Sequence, residues 1–163
     1  MVTDTTVTEL RKLFTVAHVN AAKLFRMEGE VAPMWHAVPK HGPHMLIATP
    51  WNSDIEKELT IEVLRDKFAE MGVERYAFIF EAWAVLGGDP NAIYSPRPSL
   101  HPDRREMLRI TAEDKHGHIL SGHYFILRPE HKSATLSSFH EDPPDMLQAG
   151  RMTGLLINTG GPH

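Results

Sequence analysis

One carboxylate, Glu81, stands inside the longest nearly continuous apolar run of the chain, Glu74 to Leu86. A charge there costs several kcal/mol unless it finds a partner or a proton. Aromatic and β-branched residues crowd the run, and Gly72 and Gly87-Gly88 bound it, so it reads as a central β-strand buried on both faces. Alternation then puts Tyr76, Phe78 and Phe80 on one side and Ala77, Ile79, Glu81 and Trp83 on the other. Partners for Glu81 are sought in the hairpin that follows. With Asp114 opposite His118, Arg109 faces His123 and Thr111 faces Ser121, all four on one sheet face. If Glu81 shares that face, then Glu81, His123 and Arg109 form a catalytic set. Arg109 would lower the pKa of Glu81, burial would raise it, and the carboxylate and imidazole would do acid/base work on an anionic substrate. The plainer reading is a structural ion pair that fixes strand register.

A second candidate is the proline-rich crossing after the central strand. Arg97, His101, Arg104 and Arg105 form a basic group beside Tyr94, suited to a phosphate or carboxylate ligand or to a nucleic-acid contact that weakens with salt. Asp103 and Glu106 can equally neutralise those arginines on a surface crossing that prolines stiffen. Loops this long are uncommon in compact domains and often carry function.

Eleven histidines raise the question of metal. His36 and His44 lie on facing strands of a first hairpin, while His116, His118 and His123 cluster around a second. No His-Glu-x-x-His helix occurs and no third ligand is evident, so no metal and no cofactor is expected. Without cysteine there are no disulfides, no Cys-ligated zinc and no thiol nucleophile. The chain also lacks a Gly-x-Ser-x-Gly elbow and both common glycine-rich phosphate loops.

The elements that must position these residues follow from periodicity. Asp4 to Thr6 can cap a first helix, with Val7, Leu10, Leu13, Phe14, Ala17, Ala21, Leu24 and Phe25 on its inner face and Gly29 past its end. Pro33 to Val38 and His44 to Thr49 read as a hairpin. Ser53-Asp-Ile-Glu56 is a capping box, in which the serine accepts from the first turn and the glutamate reaches back. It opens a second helix to Met71, with Ile55, Leu59, Val63, Leu64, Phe68 and Met71 assigned to the inner side. Strands are expected over Arg105 to Asp114 and His118 to Arg128 around a Lys115-His116-Gly117 turn, and at an edge over Ser133 to Phe139. Residues 142–163 read as a loosely structured segment, with a turn of helix at Met146 to Arg151 and a short strand at Gly154 to Asn158.

The expected architecture is one α+β domain over residues 1–163. It has a mostly antiparallel sheet of about five to six strands, with two amphipathic helices packed on one face. At 42% hydrophobic and 23% charged, the composition is that of a globular protein. A net charge of −4 argues against a dedicated nucleic-acid binder. No signal peptide is visible and no apolar stretch nears the ~20 residues that span a bilayer, so a cytoplasmic location is expected. Two functions from different classes fit. The first is a non-enzymatic binding or accessory domain of bacterial type, acting by self-association through a sheet edge or through a protein partner. The second is a small hydrolase- or isomerase-like enzyme built on Glu81, His123 and Arg109.

Overall fold

The computed structural model describes residues 4–85, 104–143 and 155–156. Helix α1 (Asp4–Glu28) is followed by strands β1 (Met34–Pro39) and β2 (Met45–Ala48), then helix α2 (Asp54–Met71). Strands β3 (Val73–Val85), β4 (Arg104–Asp114), β5 (Ile119–Leu127), β6 (Thr135–Leu136) and β7 (His140–Glu141) complete it. All pairings are antiparallel, in the order β2-β1-β3-β4-β5-β6, with β7 also on β5. The fold is α+β, as its residue patterns require. Its seven strands exceed the five to six expected: β6 lies within the expected edge strand, and β7, just past it, is a further short pairing on β5.

The helices do not share a face; each covers its own. Both sides of β3 are apolar, and each side needs a cover. Leu10, Phe14, Ala17, Ala21 and Phe25 of α1 pack with Ala77, Ile79, Leu108, Ile110 and Tyr124. Ile61, Leu64 and Phe68 of α2 pack with Trp35, Ala37, Tyr76 and Phe78 on the opposite face. Trp35 stacks on Phe78 at 3.9 Å between ring centroids, and Phe78 in turn on Phe80 at 4.6 Å. The aromatic side of the central strand is thus the bed for α2, as its residues suggested.

Local signals were followed closely at the helix ends. Ser53 Oγ accepts from the Glu56 amide at 3.1 Å, and Glu56 accepts from the Asn52 amide, one residue before the position a standard capping box uses. Gly72 ends α2 with φ of 63°, a left-handed conformation that glycine takes without strain.

The inner face of α2 differs from the expected one. Ile61, Leu64 and Phe68 are buried, whereas Ile55, Leu59 and Val63 are 73%, 56% and 57% exposed. At about 100° per residue the second trio lies on the far side of the helix from the first. The helix therefore carries two apolar stripes, and the sheet covers one.

The Ser133 to Phe139 segment is not one strand. Only Thr135–Leu136 pairs with β5, and Phe139 leaves the edge to stack on His18 at 3.9 Å over the α1-side core. Of the C-terminal segment, Leu155 and Leu156 lie in a bend, with Leu155 buried in the α2-side core. The helical turn expected at Met146 to Arg151 lies outside the described residues, as does most of the strand expected at Gly154 to Asn158.

Candidate functional site

The β4–β5 hairpin has the register its turn residues imply. Arg109 pairs with His123, Thr111 with Ser121, and Gly117 takes the left-handed position of the turn with φ of 86°. Arg109 and His123 therefore lie side by side on the α2-side face, beyond the part of the sheet that α2 covers.

Glu81 does not join them. It pairs with Leu108, while Phe80 pairs with Arg109, so Glu81 points to the α1 side. A one-residue difference in register moves a side chain to the other face of a sheet, and the sequence does not fix that parity. The company Glu81 finds is backbone: its Oε2 accepts from the Val31 amide at 2.6 Å. Burial raises its pKa, opposed by that hydrogen bond and by Arg128, with Glu106 and Glu30 adding to the rise. Glu81 is a suture between the α1–β1 connection and the central strand, and the catalytic set of Glu81, His123 and Arg109 does not form.

The carboxylate that meets Arg109 and His123 is Asp142, just after β7. Its Oδ1 accepts from His123 Nδ1 at 3.0 Å, and its Oδ2 accepts from Ser121 Oγ at 2.9 Å and Arg109 Nη2 at 2.8 Å. Arg109 Nη2 also donates to Ser121 Oγ at 2.8 Å. Burial pushes the Asp142 carboxyl up, but the His123 hydrogen bond, the Arg109 charge and the Ser121 hydroxyl outweigh it and hold the pKa at about 2. What delivers Asp142 is the pairing of Gly122 with Glu141 and His123 with His140. That pairing needs glycine at 122: a Cβ there would stand 2.3 Å from Phe139 Cζ and 2.8 Å from the His140 carbonyl oxygen. In the sequence Asp142 merely opens the segment read as loosely structured, and its one signal is an acidic residue just past an expected strand edge.

Around this centre the ring His140 stacks on His123 at 5.5 Å, and Phe125 meets His123 edge-on at 4.9 Å. Arg105 lies over Phe125, 4.1 Å from its centroid, and Arg104 over Trp83 at 5.0 Å. Of the proposed basic group, Arg104 and Arg105 are thus spread along β4 against separate aromatic rings. Tyr94, Arg97 and His101 lie outside the described residues.

His36 and His44 do meet, Nε2 to Nδ1, at 2.9 Å. Burial lowers the His36 pKa and the neighbouring imidazole lowers it further. His118 instead accompanies Asp114, whose carboxylate accepts from the His116 and His118 amides in the turn. Among the described residues no group of three His, Asp or Glu side chains is placed to hold a metal ion.

A different kind of surface lies at the other end of the sheet. Between β2 and α2 runs a groove of about 470 Å³ lined by Met45, Ile47, Leu59, Val63, Leu64 and Met71 among others. β2 is the terminal strand, and Leu46, pointing to its other side, is 66% exposed. No described helix is long and apolar enough to cross a membrane. No protein-family model, no curated protein and no solved structure matches the chain.

Proposed function

We propose that this chain is a non-enzymatic binding domain that works by self-association through the face made by β2 and the outer stripe of α2. The observation that carries this reading is the uncovered trio Ile55, Leu59 and Val63, of which Leu59 and Val63 line the groove beside the edge strand β2. Contiguous apolar surface of this kind marks interaction sites on folded proteins. Edge strands are ordinarily blunted with charge, proline or a bulge. Met45–Ala48 contains none of the first two, and its pairing with β1 is regular.

A second copy is the occupant that suits the surface. An apolar strand of alternating exposure can pair antiparallel with itself across a two-fold axis, which is the commonest symmetry of soluble oligomers. The same axis lays one outer stripe against the other, so strand pairing and helix packing add in one contact. The opposite sheet edge is poorer for this purpose: β6 is two residues long, and the exposed His131 and Lys132 lie just before it.

Sedimentation of the full chain over a concentration series tests the proposal. Covering the exposed half of Leu59 contributes about 1 kcal/mol, felt twice in a symmetric dimer. Leu59→Lys therefore weakens association by roughly 30-fold through lost burial, and further through the facing charges. The expected result is a wild-type dimer and a folded Leu59→Lys monomer. A wild type that stays monomeric at about 0.1 mM, a weak affinity for any specific contact, contradicts the proposal.

A further inference from the structure

The centre at Asp142 uses more donors than anchoring requires. Holding the chain after β7 is already accomplished by Arg109, Ser121 and the Asp142 amide, which donates to the Ser121 carbonyl at 2.8 Å. His123 comes as a third side-chain donor, and its geometry has a consequence. With Nδ1 committed to a carboxylate that stays ionised, the ring proton sits at Nδ1 and Nε2 is turned away from Asp142. Among the described residues Nε2 has no hydrogen-bond partner, and of the Arg109 nitrogens only Nη2 is engaged. The side chains of Arg109 and His123 remain 25% and 15% exposed.

The charges point the same way. Among the described residues Asp142 is the one carboxylate in the cluster, and its two oxygens are taken by three donors. Arg109 and Arg105 are permanent cations on this strand face, with His140 stacked beside His123. Arg105 rests on Phe125, and that ring touches His123 edge-on, so Arg105, His123 and Arg109 follow one another along neighbouring strands. Phe80, paired with Arg109 on β3, supplies an apolar flank on the third side. Thr111, one pair further along the same face, has a buried hydroxyl with no partner among the described residues.

We infer that this face binds the oxyanion group of a small molecule, a phosphate or a carboxylate, between His123 Nε2 and the open edge of the Arg109 guanidinium, with Arg105 at the rim. Arg presents paired N–H donors that match either group. The imidazolium form of histidine donates at both ring nitrogens, so Nε2 can meet the same oxyanion while Nδ1 stays on Asp142. Asp142 is a positioning residue: it fixes which imidazole nitrogen faces outward and balances one of the two guanidinium charges. The inference does not depend on self-association, since the cluster lies on β4, β5 and the residue after β7, at the other end of the sheet from β2.

The test is an NMR titration of the full chain, reading the His123 ring resonances as inorganic phosphate, acetate or chloride is added at constant pH and ionic strength. The expected result is a saturable shift with phosphate, acetate or both, and none with chloride. Arg105→Gln and Arg109→Lys should each weaken it by about tenfold, the loss of a charge-assisted contact. Arg105 is exposed and outside the Asp142 anchor, so its variant stays informative should Arg109→Lys fail to fold. Phosphate alone would assign a phosphoryl group to the ligand, and acetate alone a carboxylate. The inference is overturned by no saturable shift, by an equal response to chloride, or by a response that Arg105→Gln leaves unchanged.

Discussion

Replacing Asp142 by asparagine should cost stability in a way that depends on pH, and the size of the effect follows from the structure. The carboxyl titrates at 3.8 when unperturbed and at about 2 in the folded chain. A folded pKa below the unfolded one means that the ionised group favours folding above pH 3.8, and that this contribution disappears as pH falls through about 2. At 1.36 kcal/mol per unit the contribution is roughly 2 kcal/mol at neutral pH and about half of that at pH 3. The side chain is only 11% exposed, so solvent screening reduces this little. Urea unfolding of wild type and Asp142→Asn at pH 7, 5 and 3 measures it, with the slope against denaturant checked for constancy. The gap should be near its full size at pH 7 and shrink by about half at pH 3. A gap that is the same at all three values would show that Asn fails for reasons of shape, and the electrostatic account of the cluster would fall.

Other outcomes follow from single contacts. Gly122→Ala forces β7 off β5, because the His140 carbonyl cannot retreat as a side chain could. We expect a loss of about 1–3 kcal/mol, typical of overpacking, together with faster amide exchange at Asp142. Glu81→Ala leaves the Val31 amide without its acceptor and should cost about 1–2 kcal/mol in thermal or urea unfolding. Glu81→Gln keeps an acceptor and removes a charge whose pKa burial has raised, so its stability at pH 7 should equal or exceed that of wild type. If Glu81→Gln were as damaging as Glu81→Ala, the ionised carboxylate would matter in itself. Phe68→Ala opens a cavity beneath Trp35 and Tyr76, where the ring is fully buried, and should cost about 3–5 kcal/mol by denaturant titration.

The parts of this fold that were legible in the sequence are those set by local chemistry. The helix stripe from Leu10 to Phe25, the serine cap at Ser53, the glycine stops at Gly72 and Gly117, and the hairpin register of Arg109 with His123 all depend on residues within a few positions of one another. What remained hidden depends on longer range. Glu81 reached the wrong face because β3 and β4 are joined by a long crossing that does not fix register, unlike a tight turn. Asp142 enters the site from 33 positions beyond Arg109, carried by two residues of β7 that no periodicity marks. The two faces of α2 are a different case. Ile55, Leu59 and Val63 stand half a turn from Ile61, Leu64 and Phe68, and counting at 100° per residue separates them. Assigning Ile55, Leu59 and Val63 to the same inner side as Leu64 and Phe68, and leaving out Ile61, concealed the surface on which the proposed function rests.

Because the chain has no cysteine of its own, that surface can be probed with one introduced thiol. Leu46→Cys places it on the exposed side of β2, and strands paired antiparallel bring such positions within the roughly 4–7 Å that a disulfide bridges between Cα atoms. Mild oxidation at low micromolar protein should yield a covalent dimer in high yield, while the same thiol at Thr135 on β6 should give little. Equal yields from the two edges, or no dimer from Leu46→Cys, would contradict the assignment of β2 and α2 as the self-association face.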